Sequence, residues 1–279
     1  MENLSFRDAC PIPCPRFGTR DAARLDQYYT RPDIAKVMYQ IVLEHVDEAS
    51  HLMVEPSAGE GAFSTLMPAD SIAIDKAPAG LGIIRADFLK FSFPSDRHIA
   101  VVGNPPFGRN SSMAVRFFNH AATFASSISF ILPRTFRKAP TENRLDRAFI
   151  LVREELVPAN AFLREGRPFH VPAVFQIWKR GGEFRALREV ETKHPDFEFT
   201  GPESADFALQ RVGARAGMVH DRLEMSPSSH HFLRARRYGV RAIMKRLDFA
   251  SVAGDVAGNP SVSRSEIVRL YREFVEAST

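Results

Sequence analysis

The sequence predicts a doubly wound α/β fold on a mostly parallel sheet, followed by a small basic C-terminal appendage. Short, continuously apolar runs end in acids or turns and alternate with helical stretches, at residues 52–54, 72–74, 83–84, 99–102, 128–132 and 173–178. Such runs are typical of parallel strands that are buried on both faces. The 279 residues are 44% hydrophobic and 25% charged, which is globular composition with enough apolar chain for a sizeable core.

Three parts are expected along the chain. Residues 1–24 are rich in Pro and Arg without periodicity, and they predict an irregular N-terminal arm. Residues 25–181 contain the apolar runs named above and predict the α/β domain. From Gly181-Gly182 onward the strand-like pieces are short and the helical pieces are basic. Residues 182–279 are therefore predicted to be a separate, smaller appendage that could contact nucleic acid.

A helix is expected to begin before the first strand. Thr30 is a good N-cap residue, Pro32 suits the first turn, and Asp33 suits the positive end of the helix dipole. Apolar residues then follow at helical spacing, namely Ile34, Val37, Met38, Ile41 and Val42. This spacing gives the helix one apolar face to pack on the sheet.

Several classes of protein are disfavoured by composition. No run of 18 or more apolar residues is present, so no membrane contact is expected. The N-terminus has no apolar segment behind a basic start, which predicts a cytoplasmic rather than a secreted protein. Cys10 and Cys14 have no second set of Cys or His nearby, so no metal site is expected.

Positive charge is concentrated near the C-terminal end. The net charge is +4, but the segment from 211 to 246 carries +7, which leaves −3 for the other residues. Its basic residues are Arg211, Arg215, Arg222, Arg234, Arg236, Arg237, Arg241, Lys245 and Arg246, against Asp221 and Glu224. The asymmetry suggests a face that contacts nucleic acid or another anion, with a solvated helix face as the alternative.

Candidate ligand-binding residues follow the first strand, because ligands of doubly wound sheets bind beyond the carboxyl ends of the strands. Glu55 ends this strand, and Ser57, Gly59 and Gly61 follow it. Two glycines at this spacing allow a tight turn and close approach of a ligand to the backbone. A carboxylate here repels a pyrophosphate but could pair with an ammonium group. The combination favours an amino-acid-bearing nucleoside such as S-adenosylmethionine over a dinucleotide.

Acidic residues also follow the next two strands. Asp75, after the second strand, could accept hydrogen bonds from both ribose hydroxyls of a nucleoside. Asp87, after the third, could accept the exocyclic amine of adenine, with Phe88 beside the ring. Each acid alone is equally consistent with a solvated turn. Their order and their common edge of the sheet favour the cofactor interpretation.

The fourth strand ends in the segment Asn104-Pro105-Pro106-Phe107. Two consecutive prolines fix φ and remove two N–H donors, which leaves a rigid turn with carbonyl groups available. Such a turn could direct the Asn104 side-chain oxygen and the Pro105 carbonyl at one amino group. Phe107 adds a flat apolar surface that suits stacking of a base. These residues are the predicted catalytic motif.

The ordered motifs resemble those of S-adenosylmethionine-dependent amino-group methyltransferases, most closely the N6-adenine nucleic-acid type with the gamma order of motifs. The similar segments are residues 27–32, 55–63, 75, 87–88, 104–107 and 131–136, within residues 27–180. The resemblance implies a seven-stranded sheet. It also implies that Tyr29 and Thr30 hold the methionine end of the cofactor. Arg31 departs from the proline common in relatives, although Pro32 keeps the helix start.

The resemblance further places Glu55, Ser57, Gly59 and Gly61 in the same cofactor pocket, with Asp75 on the ribose, Asp87 and Phe88 on the adenine, and Asn104 at the methyl group. Phe107 would stack on the acceptor base. Basic residues after the fifth strand would border the acceptor, namely Arg134, Arg137 and Lys138.

The expected function is methyl transfer from S-adenosylmethionine to adenine N6 in DNA or RNA, with neither a metal nor a covalent intermediate. Transfer to a protein glutamine or to cytosine N4 stays open, since related turns serve other amino groups. A catalytically silent nucleic-acid-binding subunit is the alternative from another class. It is disfavoured because every expected cofactor position is filled.

Overall fold

The computed structural model describes residues 28–93, 96–256 and 259–277. The predicted arm at residues 1–24, Gln27 and both cysteines lie outside the described residues. Within these ranges no helix is long and apolar enough to cross a membrane. The chain forms two compact units. The first contains the described residues up to Leu132 together with Leu145–Arg185, and the second contains Pro133–Arg144 and the described residues from Ala186 onward.

The first unit contains a seven-stranded sheet, and its elements follow in chain order. They are β1 (Tyr29–Thr30), α1 (Pro32–Leu43), β2 (His51–Glu55), β3 (Ile72–Asp75), β4 (Ile84–Arg85), β5 (His98–Gly103), α2 (Ser112–Ala121), β6 (Ser127–Pro133), β7 (Phe149–Leu156), β8 (Phe162–Arg164), β9 (Arg167–Phe169) and β10 (Ala173–Arg180). The order in the sheet is β4-β3-β2-β5-β6-β10-β7, and β1, β8 and β9 form a separate three-stranded sheet.

The predicted doubly wound, mostly parallel, seven-stranded sheet is confirmed. Strands β2, β3, β4, β5 and β6 pair in parallel, whereas β7 pairs antiparallel with β10. The chain runs outward from β2 to β4 and then crosses to β5 on the other side of β2. The order therefore reverses between β2 and β5, where a crevice for ligands is expected beyond the strand ends.

Helices α1 and α2 cover opposite faces of the sheet. Met38 of α1 belongs to the same buried cluster as Ile177 of β10. Phe118 of α2 packs edge-on against Trp178, with ring centroids 5.4 Å apart. Because consecutive residues of a strand point to opposite faces, the two helices sandwich the sheet. This double covering explains why the strands are continuously apolar.

Helix α1 begins one residue later than the sequence predicts. Its N-cap is Arg31, whose side chain makes no capping bond, so the expectation of a Thr30 N-cap is wrong. Thr30 instead lies in β1 opposite Phe162, and the Arg31 N–H donates to the Ala161 carbonyl at 3.0 Å. Pairing with a distant strand has overridden the local capping preference.

Strand β7 is missing from the predicted runs. Its sequence, FILVREEL, contains three charged residues, and Ile150, Leu151, Val152 and Leu156 are exposed. Because β7 is the last strand in the sheet order, it lacks the two-sided burial that makes the inner strands recognisable.

The second unit is built on an antiparallel sheet. Its elements are α3 (Ala139–Glu142), β11 (Phe197–Thr200), β12 (Phe207–Gln210), β13 (Val219–His220), β14 (His230–Ala235), α4 (Val240–Met244), α5 (Ala250–Ala253) and α6 (Arg264–Glu276), with the sheet order β11-β14-β12-β13. Phe197, Leu233, Met244 and Tyr271 share its buried core. A capping box starts α6, since Ser263 Oγ accepts from the Glu266 N–H and the Glu266 carboxylate accepts from the Ser263 N–H.

The segment Pro133–Arg144 packs with this second unit, whereas the sequence-based division places it in the α/β domain. Arg137 Nη1 lies 2.7 Å from Asp255 Oδ1, and Lys138 Nζ lies 3.0 Å from Glu266 Oε1. These partners are more than a hundred residues away in the sequence, at separations of 118 and 128. No local pattern could indicate them.

Candidate active site

A cavity opens in the first unit at the point where the strand order reverses. Its open space, including solvent at the mouth, amounts to about 740 Å³. Its walls come from the segments that follow β2, β3, β4 and β5, and its lining includes Tyr28, Tyr29, Pro56, Ser57, Asp75, Lys76, Phe88, Asn104, Pro105, Pro106, Phe107 and Phe117. The cavity thus brings together residues that the sequence places after four different strands.

The loop after β2 needs its glycines for two reasons. Gly59 has φ +55° and Gly61 has φ +89°, a region that favours glycine. A Cβ on Gly59 would also lie only 2.6 Å from Cε1 of Tyr29. The Tyr29 ring, one of the predicted cofactor contacts, therefore packs directly on the Gly59 backbone and borders the cavity.

Asp75 fixes this loop while facing the cavity. Its Oδ2 accepts a hydrogen bond from the Gly59 N–H at 2.8 Å, and its Oδ1 accepts one from the Ala77 N–H at 2.7 Å. Each carboxylate oxygen keeps a further lone pair, which a ligand hydroxyl group could use. Asp75 is thus placed as the sequence predicts, next to the glycine turn.

Glu55 lies beneath the loop, and it is not among the residues that line the cavity. It is 2% exposed, and its carboxylate accepts hydrogen bonds from the N–H groups of Ser64, at 2.7 Å, and Phe63, at 3.4 Å. Burial raises its pKa to about 7, although these hydrogen bonds oppose the rise. The structure therefore shows Glu55 holding the loop backbone.

The buried carboxyl group of Glu55 should make the free energy of unfolding depend on pH. The unfolded chain loses the Glu55 proton near the ordinary value of 4.5, whereas the folded chain keeps it to about 7. The contribution of Glu55 to the free energy of unfolding is thus fully present below pH 4.5 and is lost as the pH rises through 7, by on the order of 3 kcal/mol. In urea titrations across this range, Glu55→Gln should lose this component of the pH dependence.

The exposed neighbour Glu60 provides the control, since Glu60→Gln should keep the wild-type pH dependence. An identical pH dependence in the wild type and in Glu55→Gln would show that the buried carboxyl group does not control stability.

Phe88 lines the cavity, whereas Asp87, the residue before it, is not among the lining residues. Asp87 Oδ1 accepts from the Leu89 N–H at 3.1 Å, and its Oδ2 lies 3.2 Å from Lys76 Nζ. Phe88 is buried against Phe117, with ring centroids 5.2 Å apart, and it borders the cavity. Lys76 was not singled out from the sequence, where it resembles any solvated turn residue.

Asn104 is held so that its side-chain oxygen is free. Its Nδ2 donates to the Tyr28 carbonyl at 3.0 Å, and since a carbonyl can only accept, this contact fixes the orientation of the amide. Ser57 Oγ donates to the Asn104 carbonyl at 3.0 Å, which ties the glycine loop to the Asn-Pro-Pro turn. No donor among the described residues reaches Asn104 Oδ1, which is left to a ligand.

Phe107 follows the two prolines, and hydrogen bonds hold its backbone as well. Its carbonyl accepts from the N–H groups of Met113, at 3.2 Å, and Ala114, at 3.3 Å, while its ring is partly buried against the α1 side of the core. Gly108 follows with φ +67°, and a Cβ there would lie 2.7 Å from Met113 Cγ. One face of the ring therefore stays at the cavity in a defined position.

Thr30, Arg134, Arg137 and Lys138 are not among the residues that line this cavity. Thr30 is buried, and its Oγ1 has no hydrogen-bond partner among the described residues. Arg134, Arg137 and Lys138 belong to the second unit, where Asp255 and Glu266 pair with the latter two. Their role in substrate binding stays a prediction. Over the described ranges, no group of three or more His, Cys, Asp or Glu could hold a metal ion.

Tyr28 was missed as a cavity residue. Its ring stacks on Phe169 with centroids 5.2 Å apart, and its carbonyl orients Asn104. Every residue has a backbone carbonyl, so the residue type of Tyr28 could not predict its hydrogen bond with Asn104.

Comparisons with known proteins give structural similarities only. No family model and no curated protein matches the sequence. The chain is similar to a candidate RNA methyltransferase from Pyrococcus horikoshii, at 16% identity over 56% of this chain and 87% of that one, with a TM-score of 0.41. It is similar to the 23S rRNA methyltransferase ErmE, at 13% identity over 88% and 98%, with a TM-score of 0.38. It is also similar to magnesium protoporphyrin IX methyltransferase (ChlM) from Synechocystis PCC 6803 with bound SAM, at 12% identity over 61% and 86%, with a TM-score of 0.41.

Proposed function

We propose that this chain transfers a methyl group from S-adenosylmethionine to the exocyclic N6 of adenine in a nucleic acid. The observation that carries the proposal is the fixed amide of Asn104. Its nitrogen is bound to the Tyr28 carbonyl, its oxygen is free, and two prolines follow it at the edge of the cavity.

The cavity suits the cofactor. The Tyr29 ring packs where a Cβ on Gly59 would lie, and this ring borders the cavity. The Asp75 carboxylate would accept the ribose hydroxyls, while Asp87 and Phe88 would adjoin the adenine ring. Ser57 lines the cavity, and Gly61 belongs to the loop that follows it. When bound, the cofactor supplies an electrophilic methyl group on a sulfonium.

The turn would then activate the acceptor. The lone pair of an aromatic amine is delocalised into the ring, so the amine is a weak nucleophile. Hydrogen bonds from its two N–H groups to Asn104 Oδ1 and to the Pro105 carbonyl favour a tetrahedral nitrogen and expose the lone pair. Because both acceptors are fixed in advance, most of the acceleration comes from positioning and preorganised dipoles. Stacking on Phe107 would retain the flipped base, typically by about 1–3 kcal/mol.

The test is methyl transfer from labelled S-adenosylmethionine to a panel of DNA, RNA and protein acceptors, followed by nucleoside and amino-acid analysis. Label in N6-methyladenine is the expected result. Label only in N4-methylcytosine or in glutamine would contradict the choice of adenine, and absence of label in every acceptor would contradict methyl transfer.

A further inference from the structure

Carboxylates of the second unit offset part of the positive charge between residues 211 and 246. Carboxylates pair with five of its nine basic residues: Glu198 with Arg234 and Arg236, Asp196 with Arg237, Asp221 with Arg241, and Glu224 with Arg222. Four carboxylates thus offset most of the charge of these five arginines.

Arg211 and Arg264 differ from them. Both are exposed, and neither pairs with a carboxylate among the described residues. They are joined through Val262, whose N–H donates to the Arg211 carbonyl at 2.9 Å and which lies two residues before Arg264. The Val262 carbonyl lies 3.0 Å from Nε2 of the buried His231.

The lowered pKa of His231 is consistent with Arg211 and Arg264 lying near its ring. Its pKa is lowered to about 4, chiefly by burial, and the positive charges of Arg211 and Arg264 lower it further. Two cations that act on the same ring create a local positive potential at this place in the unit.

Arg264 lies at an electrostatically unfavourable end of its helix. It is the first residue of the 13-residue helix α6, where the helix dipole is positive and disfavours a cation. Its guanidinium lies over the Phe199 ring, 4.9 Å from the centroid, a cation–π contact that offsets part of this cost.

We propose that Arg211 and Arg264 form a contact surface for the phosphate backbone of a nucleic acid, here called the Arg211–Arg264 surface. The proposal rests on the proposed function, because it assumes that the methyl acceptor is a nucleic acid. Guanidinium groups bind phosphate oxygens through paired donors, and two unpaired ones are suited to neighbouring phosphates.

Binding titrations by fluorescence anisotropy test the surface. Labelled single- and double-stranded RNA and DNA are titrated with the full chain at several salt concentrations. The Arg211→Ala/Arg264→Ala variant should bind the preferred acceptor at least about tenfold more weakly at low salt. Its slope of log affinity against log salt should fall by about 0.7 to 0.9 for each phosphate that the variant no longer neutralises. Arg234→Ala/Arg236→Ala removes the same charge from paired positions and should bind like the wild type.

A third variant separates charge from misfolding. Arg211→Lys/Arg264→Lys keeps both positive charges and should recover most of the affinity and the salt slope. Wild-type affinity and slope in the Ala/Ala variant would overturn the proposal, as would equal losses in both Ala pairs. If the wild type methylates nucleic acid but the Ala/Ala variant binds normally, the surface is wrong and the function stands. If binding depends on the surface but no nucleic acid is methylated, the proposed function is wrong.

Discussion

Replacing Asn104 by Ala should lower methyl transfer by at least about 100-fold while cofactor affinity changes only a few-fold. The substitution removes the one unpartnered acceptor that the amide presents to the cavity, and it breaks the bond to the Tyr28 carbonyl. Asp75 and the glycine loop have their own hydrogen bonds and do not depend on the amide. Single-turnover transfer and calorimetric binding of S-adenosylmethionine measure the two effects separately.

Asn104→Gln is the geometric control. It keeps the amide but moves the oxygen by one methylene, so a role in precise positioning predicts a similar loss of rate. Turnover near the wild-type rate in Asn104→Ala would refute the assignment of this residue. If cofactor affinity fell as much as the rate, Asn104 would act in cofactor binding rather than in the reaction.

Gly59→Ala should weaken cofactor binding by roughly 100-fold, which corresponds to just under 3 kcal/mol. The new Cβ would lie 2.6 Å from the Tyr29 ring and would sit on a backbone with φ +55°. Either the ring moves into the cavity or the loop moves away from Asp75, and both changes alter the proposed cofactor site. Equilibrium binding of S-adenosylmethionine is the measurement.

The chain offers a matched control for backbone strain. Gly82 also has a positive φ, +75°, but a Cβ there meets nothing within 4 Å. Gly82→Ala should therefore lose some stability from strain and keep its affinity for the cofactor. If both variants bind equally well, contact between Gly59 and Tyr29 does not shape the site.

The inner strands and the residues that follow them were predictable from sequence because burial on both faces leaves a continuous apolar signal. Asp75 and Asn104 follow such strands directly, and the structure places both at the cavity. Strand β7 gave no such signal, since it lies at the exposed edge and contains charged residues.

Other features depend on contacts between distant residues. Thr30 is of a residue type that favours helix N-caps, but its backbone pairs with Phe162, more than a hundred residues later. The Tyr28 carbonyl orients Asn104 although nothing in the residue type of Tyr28 indicates it. Glu55 was expected to face a ligand, whereas the loop folds back over it and supplies N–H donors from Phe63 and Ser64.

The division of the chain between the two units constrains the order in which its segments can fold during synthesis. Pro133–Arg144 belongs to the second unit but is made long before Asp255 and Glu266, which bind its Arg137 and Lys138. During translation the first unit could complete its sheet once Arg180 has emerged, whereas this segment must wait for nearly the entire chain. A chain terminated after Arg185 would keep Pro133–Arg144 but leave Arg137 and Lys138 without these carboxylates, so a single cut cannot remove the whole second unit.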